Sequence, residues 1–379
     1  MAIKKIGWIA TAVTPYSETD ATLASAGTND FLRRMVDGLV ELGVESKLLL
    51  PAGSDSRWPH VLFEGTLQGT LAEFKSAAQT AEATGSCLQG MVSWAERYQS
   101  EFDLIVNLGH DHLPISKIGQ FRTPYVTLPN LCQTTPVIDV LIQDRAKQFP
   151  DKVWFFSKSQ RAILGCPDNP VLRQPFDIAA FPAAKPYSQT SSAPLGWVGR
   201  IVPEKGLDSA LEIAARMEKR LWVAGPIHNQ GYFERLAEKF ERQIDYRGCL
   251  SRDELYGQLA ETEVFLQTQH PDWHEAFGRT TAEALLAGCP VLYYKSGANA
   301  ELIELIGGGA ELKRGGGGER EAYKFAVTLD RAAIQTRAQT IFDHRRIAQD
   351  FLQFAAIAQQ SNPCAPSTPS RQEQPVSQS

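Results

Sequence analysis

The sequence predicts an α/β protein built from two Rossmann-like halves that face each other across a cleft. Three observations predict it. Short β-branched or aromatic runs alternate with stretches of helical spacing, the signature of βαβ units on a mostly parallel sheet. The stretch from Arg173 to Pro186, rich in Pro and Ala and without any apolar period, divides the chain near its middle. The 379 residues exceed one ordinary domain and suffice for two buried cores.

Taken in order, Ile6 to Val13 reads as a first strand, followed by a polar loop and then by Phe31, Leu32, Met35, Val36, Leu39 and Val40 at helical spacing, closed by Gly43. Strands follow at Lys47 to Pro51, Asp103 to Asn107, Thr123 to Leu128 and Val153 to Ser157, the last leading into a short helix around Gln160 to Leu164. Beyond the divide, strands are expected at Leu195 to Val198, Leu221 to Ala224, Ile244 to Arg247, Val264 to Gln267 and Val291 to Tyr294. Helices at 206–218, 231–241, 252–260 and 279–287 separate them, and Ser251 to Glu254 has the form of a capping box. The glycine runs Gly307 to Gly309 and Gly315 to Gly318 read as flexible loops, because neither follows a strand and opens a helix. The expected division is 1–180, 181–345, a C-terminal helix at 346–360 and a polar, Pro-rich tail at 361–379 that cannot bury enough to fold.

Composition narrows the function classes. A chain 21% charged and 43% hydrophobic is ordinary for a globular protein and excludes disorder, collagen and coiled coil. The net charge of −5 and the absence of a Lys/Arg cluster argue against nucleic acid and anionic membrane as partners, since both need a basic stripe. No apolar run reaches a membrane span, and the opening residues read as a strand rather than a secretory leader. The six scattered cysteines have neither disulfide nor zinc spacing. Together these lead us to expect a soluble cytoplasmic protein with small-molecule substrates; the oligomeric state is not readable.

Two stretches carry chemistry. In His270 to Val291, Glu275 lies in a loop and Glu283 about one turn into the following helix. The amides of Phe277, Gly278 and Arg279 are the free donors of that helix N-terminus, an anion site beside two carboxylates that can accept from vicinal hydroxyls. The other reading makes Glu275 a dipole-favoured first-turn acid and Glu283 a solvated helix residue. The second stretch, Gly196 to Gly206, runs from a strand into a loop carrying Arg200 and Lys205, two cations at a phosphate position that can stabilise charge on a leaving diphosphate. His270 and His274 are four apart, but no HExxH helix follows, so they read as loop residues; no Asp-x-Asp is present to hold a metal-bound diphosphate.

Gly199-Arg200 followed by Glu204-Lys205-Gly206, then Glu275-x7-Glu283 enclosing Phe277-Gly278, resembles the retaining family-4 glycosyltransferases of GT-B fold over most of the chain. The resemblance implies an N-terminal acceptor domain, a C-terminal nucleotide-sugar domain, and a C-terminal helix packing back towards the first. It implies that Arg200 and Lys205 bind the nucleotide diphosphate, that Glu275 contacts the donor sugar and Glu283 the ribose, and that backbone at Ala276, Phe277 and Gly278 reaches sugar and phosphate. Gly27 stands where the family has a two-glycine loop approaching the diphosphate. The family's active-site histidine maps best onto His110-Asp111, with His112 the competing alignment. Pro51 to Ser54, Asn107 to Pro114 and Leu195 to Leu207 further resemble pterin-glucosylating members, implying glucose transfer from UDP-glucose to tetrahydrobiopterin without metal or other cofactor. A polysaccharide or lipid-linked acceptor, and a nucleotide-sugar 2-epimerase on the same fold, are the alternatives.

Overall fold

The computed structural model describes residues 2–19, 27–64, 77–132, 135–186 and 195–361. The first lobe runs β1 (Lys5–Ile9), α1 (Gly27–Glu41), β2 (Glu45–Pro51), β3 (His60–Phe63), α2 (Ala77–Tyr98), β4 (Leu104–Asn107), α3 (His112–Ser116), β5 (Tyr125–Thr127), α4 (Pro136–Gln148) and α5 (Lys158–Ile163). Its five strands are ordered β3-β2-β1-β4-β5, all parallel.

The second lobe runs β6 (Leu195–Val198), α6 (Leu207–Arg216), β7 (Leu221–Ala224), α7 (Gln230–Lys239), β8 (Ile244–Tyr246), α8 (Arg252–Glu261), β9 (Phe265–Gln267), α9 (Arg279–Leu286), β10 (Val291–Tyr294), α10 (Gly297–Ile306), β11 (Gly309–Leu312), α11 (Glu319–Ala326) and α12 (Arg331–Phe342). Its six parallel strands are ordered β11-β10-β9-β6-β7-β8. Both sheets are doubly wound. In each, strand order reverses beside the lobe's first strand, between β1 and β4 and between β6 and β9, and ligands of such sheets settle in the crevice outside the carboxyl ends of those strands.

The final helix, α13 (His344–Gln360), leaves the second lobe and packs on α1. Its buried face, Ile347, Ala348, Phe351, Ala355 and Ala358, has helical spacing. Phe351 lies 5.5 Å from the Trp8 ring and 5.2 Å from Trp154, so the first lobe's core is completed by the last helix of the chain. One apolar cluster continues from Trp8 and Phe31 through Phe176 and Phe277 to Phe342. Phe176 lies between the lobes, 6.2 Å from Phe277 and 5.9 Å from Phe342, and its amide donates to the Phe342 carbonyl at 2.8 Å.

The structure departs from the sequence pattern at several points. Val153 to Ser157 makes only isolated bridges, Thr127 with Val153 and Phe155 with Val171, because the Asn169 side chain takes the Val153 carbonyl and the Gln160 side chain the Phe156 amide. β1 stops at Ile9, although Ala10 and Ala12 remain buried. Gly307 to Gly309 are not a loose loop, and Gly315 to Gly318 do stand between a strand, β11, and a helix, α11, whose N-cap is Gly318. Gly307 closes α10, and a Cβ on Gly308 or Gly309 would lie 2.4 Å from Leu285 or 2.2 Å from the Val291 carbonyl oxygen, so backbone packs on core there. The elements β3, α2, α3, α4, α10 and β11 are additional to those the sequence pattern suggested. The capping box at Ser251 and Glu254 is formed in both directions. The expected tail lies beyond Ser361, outside the described residues.

Candidate active site

The cleft is lined by the loops that leave the two switch points. From β6, Val198 leads into Gly199-Arg200, and the chain turns at Gly206, whose φ is +73° and whose Cβ would lie 2.0 Å from the Thr268 carbonyl oxygen. Only glycine fits a left-handed position that close to backbone, so this turn sets Lys205 against the loop leaving β9. The His270 amide donates to the Glu204 carbonyl at 2.9 Å and joins the same two loops.

On that scaffold Lys205 Nζ pairs with Glu275 Oε1, and the indole N–H of Trp273 donates to the same oxygen at 3.0 Å. Lys205 Nζ lies 4.8 Å and the Arg200 guanidinium carbon 6.0 Å from the Trp273 ring centroid. Burial alone would raise the Glu275 carboxyl; Lys205, the Trp273 N–H and Arg200 outweigh it and hold the group below the usual carboxylate range. Glu275 is therefore anionic at neutral pH, with one oxygen committed to a cation. Trp273, which the sequence reading passed over, is what fixes this pair.

Gly278 begins α9 at φ +89°, and no side chain caps the helix. A Cβ there would meet Asn299 Oδ1 at 1.9 Å; Asn299 in turn accepts from Thr281 and donates to Gln269. Ala276 and Phe277 are buried: the Ala276 carbonyl accepts from Ser157 Oγ of the first lobe at 2.8 Å, and the Phe277 ring packs between the lobes. Glu283 is not a solvated helix residue. It is 4% exposed, and its Oε1 accepts from Arg252 at 3.1 Å. Burial pushes its carboxyl above the ordinary range, Arg252 and Arg279 opposing. Gly27 opens α1 against Arg279, whose Cδ would lie 3.2 Å from a Cβ at that position.

Across the cleft, β4 delivers His110 and Asp111. The buried Asn107 side chain closes on Gly109, donating to its carbonyl and accepting from its amide, both at 2.8 Å, and this sets the loop just ahead of His110. His110 Nδ1 and Asp111 Oδ2 are shielded from solvent without a hydrogen-bond partner among the described residues. Burial lowers the His110 pKa, with Asp111 opposing, so the ring is neutral at pH 7. His112 is exposed and starts α3. The described residues place no hydrogen bond between His110 and either motif carboxylate. Between the lobes lies a cavity of about 680 Å³ lined by Lys158, Arg173, His274, Lys295 and Glu301, reaching the glutamate motif through His274. No group of three or more His, Cys, Asp or Glu side chains able to hold a metal occurs among the described residues, and no described helix is long and apolar enough to cross a membrane.

Residues 188–309 match the family described as Glycosyl transferases group 1. Glycogen synthase of Mycobacterium tuberculosis is 29% identical over 197 residues, 49% of this chain and 46% of that protein. A GDP-mannose-dependent alpha-mannosyltransferase of Mycolicibacterium smegmatis is 29% identical over 109 residues, 29% of this chain and 27% of its own. The chain thus matches less than half the length of these curated relatives. Among solved structures, AviGT4, a glycosyltransferase involved in avilamycin A biosynthesis, superposes with a TM-score of 0.69 at 19% identity, over 94% of this chain and 98% of that one. The sucrose-phosphate synthase of Thermosynechococcus elongatus gives 0.71 at 14% over 93% and 98%, and Anabaena HepE in complex with UDP-glucose gives 0.66 at 17% over 93% and 99%. These likenesses establish the fold as GT-B, two parallel-sheet α/β lobes facing a cleft.

Proposed function

We propose that the protein is a retaining glycosyltransferase of family 4 that moves glucose from UDP-glucose to a small hydroxylated acceptor, with tetrahydrobiopterin as the first acceptor to test. The observation that carries this reading is the Lys205–Trp273–Glu275 assembly, with Arg200 beside it, at the switch point of the second sheet. It sets cations where a leaving diphosphate develops charge and a fixed carboxylate where sugar hydroxyls need an acceptor. The match of residues 188–309 to the glycosyltransferase group 1 family, and the structural likeness to a protein crystallised with UDP-glucose, support a nucleotide-sugar donor.

In this mechanism the acceptor hydroxyl attacks on the face the diphosphate leaves, and the departing phosphate oxygen takes its proton. Arg200 and Lys205 stabilise the diphosphate charge without a metal. Glu275 orients the sugar, and Glu283 holds the ribose. Neutral His110, backed by Asp111, lines the acceptor side, and closed lobes keep water from the sugar carbon.

Calorimetry with UDP, UDP-glucose and GDP-mannose in metal-free buffer, followed by mass spectrometry of pterins incubated with the best donor, tests the reading. Selective UDP binding with a glucosylated pterin is expected. UDP binding without a pterin product would move the search to glycan or lipid-linked acceptors, and no nucleotide binding would overturn the reading.

A further inference from the structure

Asp30 sits in the first turn of α1, on the first lobe, with 1% of its side chain exposed. Its ionic partners among the described residues are four arginines. Arg33 and Arg34 come from its own helix. Arg279 and Arg252 come from the second lobe, where they open α9 and α8. Arg279 is further held by Gln174 at 2.9 Å and by the Phe176 ring at 4.2 Å.

Arg252 divides its guanidinium between the lobes. Its Nη2 lies 3.2 Å from Asp30 Oδ1, while its Nη1 lies 3.1 Å from Glu283 Oε1 and 3.0 Å from the Tyr256 hydroxyl. Glu283 Oε2 has no hydrogen-bond partner among the described residues. A guanidinium facing a lone carboxylate closes on both oxygens as a fork. With Nη2 engaged by Asp30, Arg252 reaches only one oxygen of Glu283 and leaves the other for a hydroxyl.

We propose that Asp30 is a positioning residue for the nucleotide: by holding one arm of Arg252 it keeps Glu283 open to a ribose hydroxyl, so the first lobe completes ribose recognition in the second. This rests on the reading that Glu283 takes the ribose. It makes nucleotide affinity depend on a carboxylate that lies outside the glycosyltransferase motif and on the opposite lobe.

The test compares UDP with 2′-deoxy-UDP by calorimetry on the full chain, wild type against Asp30→Asn, with circular dichroism to check folding. We expect the wild type to prefer UDP by about tenfold or more, the scale of one hydrogen bond to a charged group, and Asp30→Asn to lose most of that preference by weakening UDP alone. A merely structural role would weaken both ligands equally and leave the ratio intact, and that result overturns the proposal. Should Asp30→Asn fail to fold, Arg252→Lys, which cannot bridge two carboxylates as a fork, takes its place; an unchanged ratio there also overturns it. A wild type that binds UDP and 2′-deoxy-UDP equally removes the ribose role of Glu283 and the proposal with it. A wild type that binds neither refutes the nucleotide-sugar reading itself.

Discussion

The two walls of the cleft are built alike and finished differently. Each presents loops from the switch point of a parallel sheet, yet on the second-lobe wall both motif carboxylates already face a cation. Glu275 is held by Lys205 and Trp273, and Glu283 by Arg252. On the first-lobe wall, His110 Nδ1 and Asp111 Oδ2 are shielded without partners among the described residues. A buried polar atom without a partner costs on the order of 1–3 kcal/mol, a cost that a substrate group bonding to it would remove. On the proposed function, the second-lobe wall is organised before substrate arrives and the first-lobe wall is completed by it.

Unpairing the second-lobe wall should have the largest effect. Lys205→Ala and Glu275→Ala should each lower kcat/KM for transfer by about 10³-fold, the upper scale for losing one group that stabilises developing charge, with far-ultraviolet dichroism unchanged; retained turnover in both variants would remove the donor site from this wall. Next, His110→Ala should cut kcat by about 10²-fold, as for a positioned catalytic histidine, whereas the exposed His112→Ala should stay within about twofold. The opposite order, measured by the same product assay, would shift the acceptor wall by two residues. Trp273→Phe keeps the ring and loses the indole N–H, and should lower kcat/KM about tenfold, as for one hydrogen bond to a charged group.

The smallest effect separates the walls by pH. His110 has a lowered folded pKa, so its neutral burial supports the fold above the unfolded value of about 6.5, and that support is lost as pH falls through the folded pKa. Glu275 is also lowered, but from the carboxylate range, so its contribution is complete above about pH 4.3 and is lost only below. Urea titrations between pH 7 and 3 should show the His110 slope first. His110→Ala should reduce it to the part that His228, whose pKa burial also lowers, supplies, without touching the later one; a first slope unchanged by the substitution would contradict the shielded neutral ring.

Much of the second-lobe wall was legible because its residues are local in sequence. A strand, a glycine turn and a cation, or a loop, a glutamate and a glycine opening a helix, fall within a few positions of each other and name their own geometry. The Asp30 cluster was not legible: Asp30 and Arg279 are 249 residues apart, and a single acidic residue in a helical first turn carries no sign of its distant partners. Trp273 lay inside the quoted motif, but nothing in its neighbours distinguished an indole that fixes a carboxylate from one that fills space. Among the secondary elements, β11 was hidden by its opening glycine and weak strand residues, and its place is set by its ladder to β10. The edge strand β3 and helix α4, with only Ile142 and Ala146 buried in the latter, show too little apolar periodicity to stand out.

The return of α13 to α1 has a consequence for anyone who wants to recombine these proteins. The first lobe is a discontinuous piece of polypeptide, since Phe351 seals its core against Trp8 and Trp154, which lie far upstream. A chimera cut once between the lobes would graft a first lobe without its own closing helix. Two crossovers are required, one near the divide and one before His344, and expressing the two halves as separate fragments would leave α13 as the strand of chain that must find its partner again for the halves to reassemble.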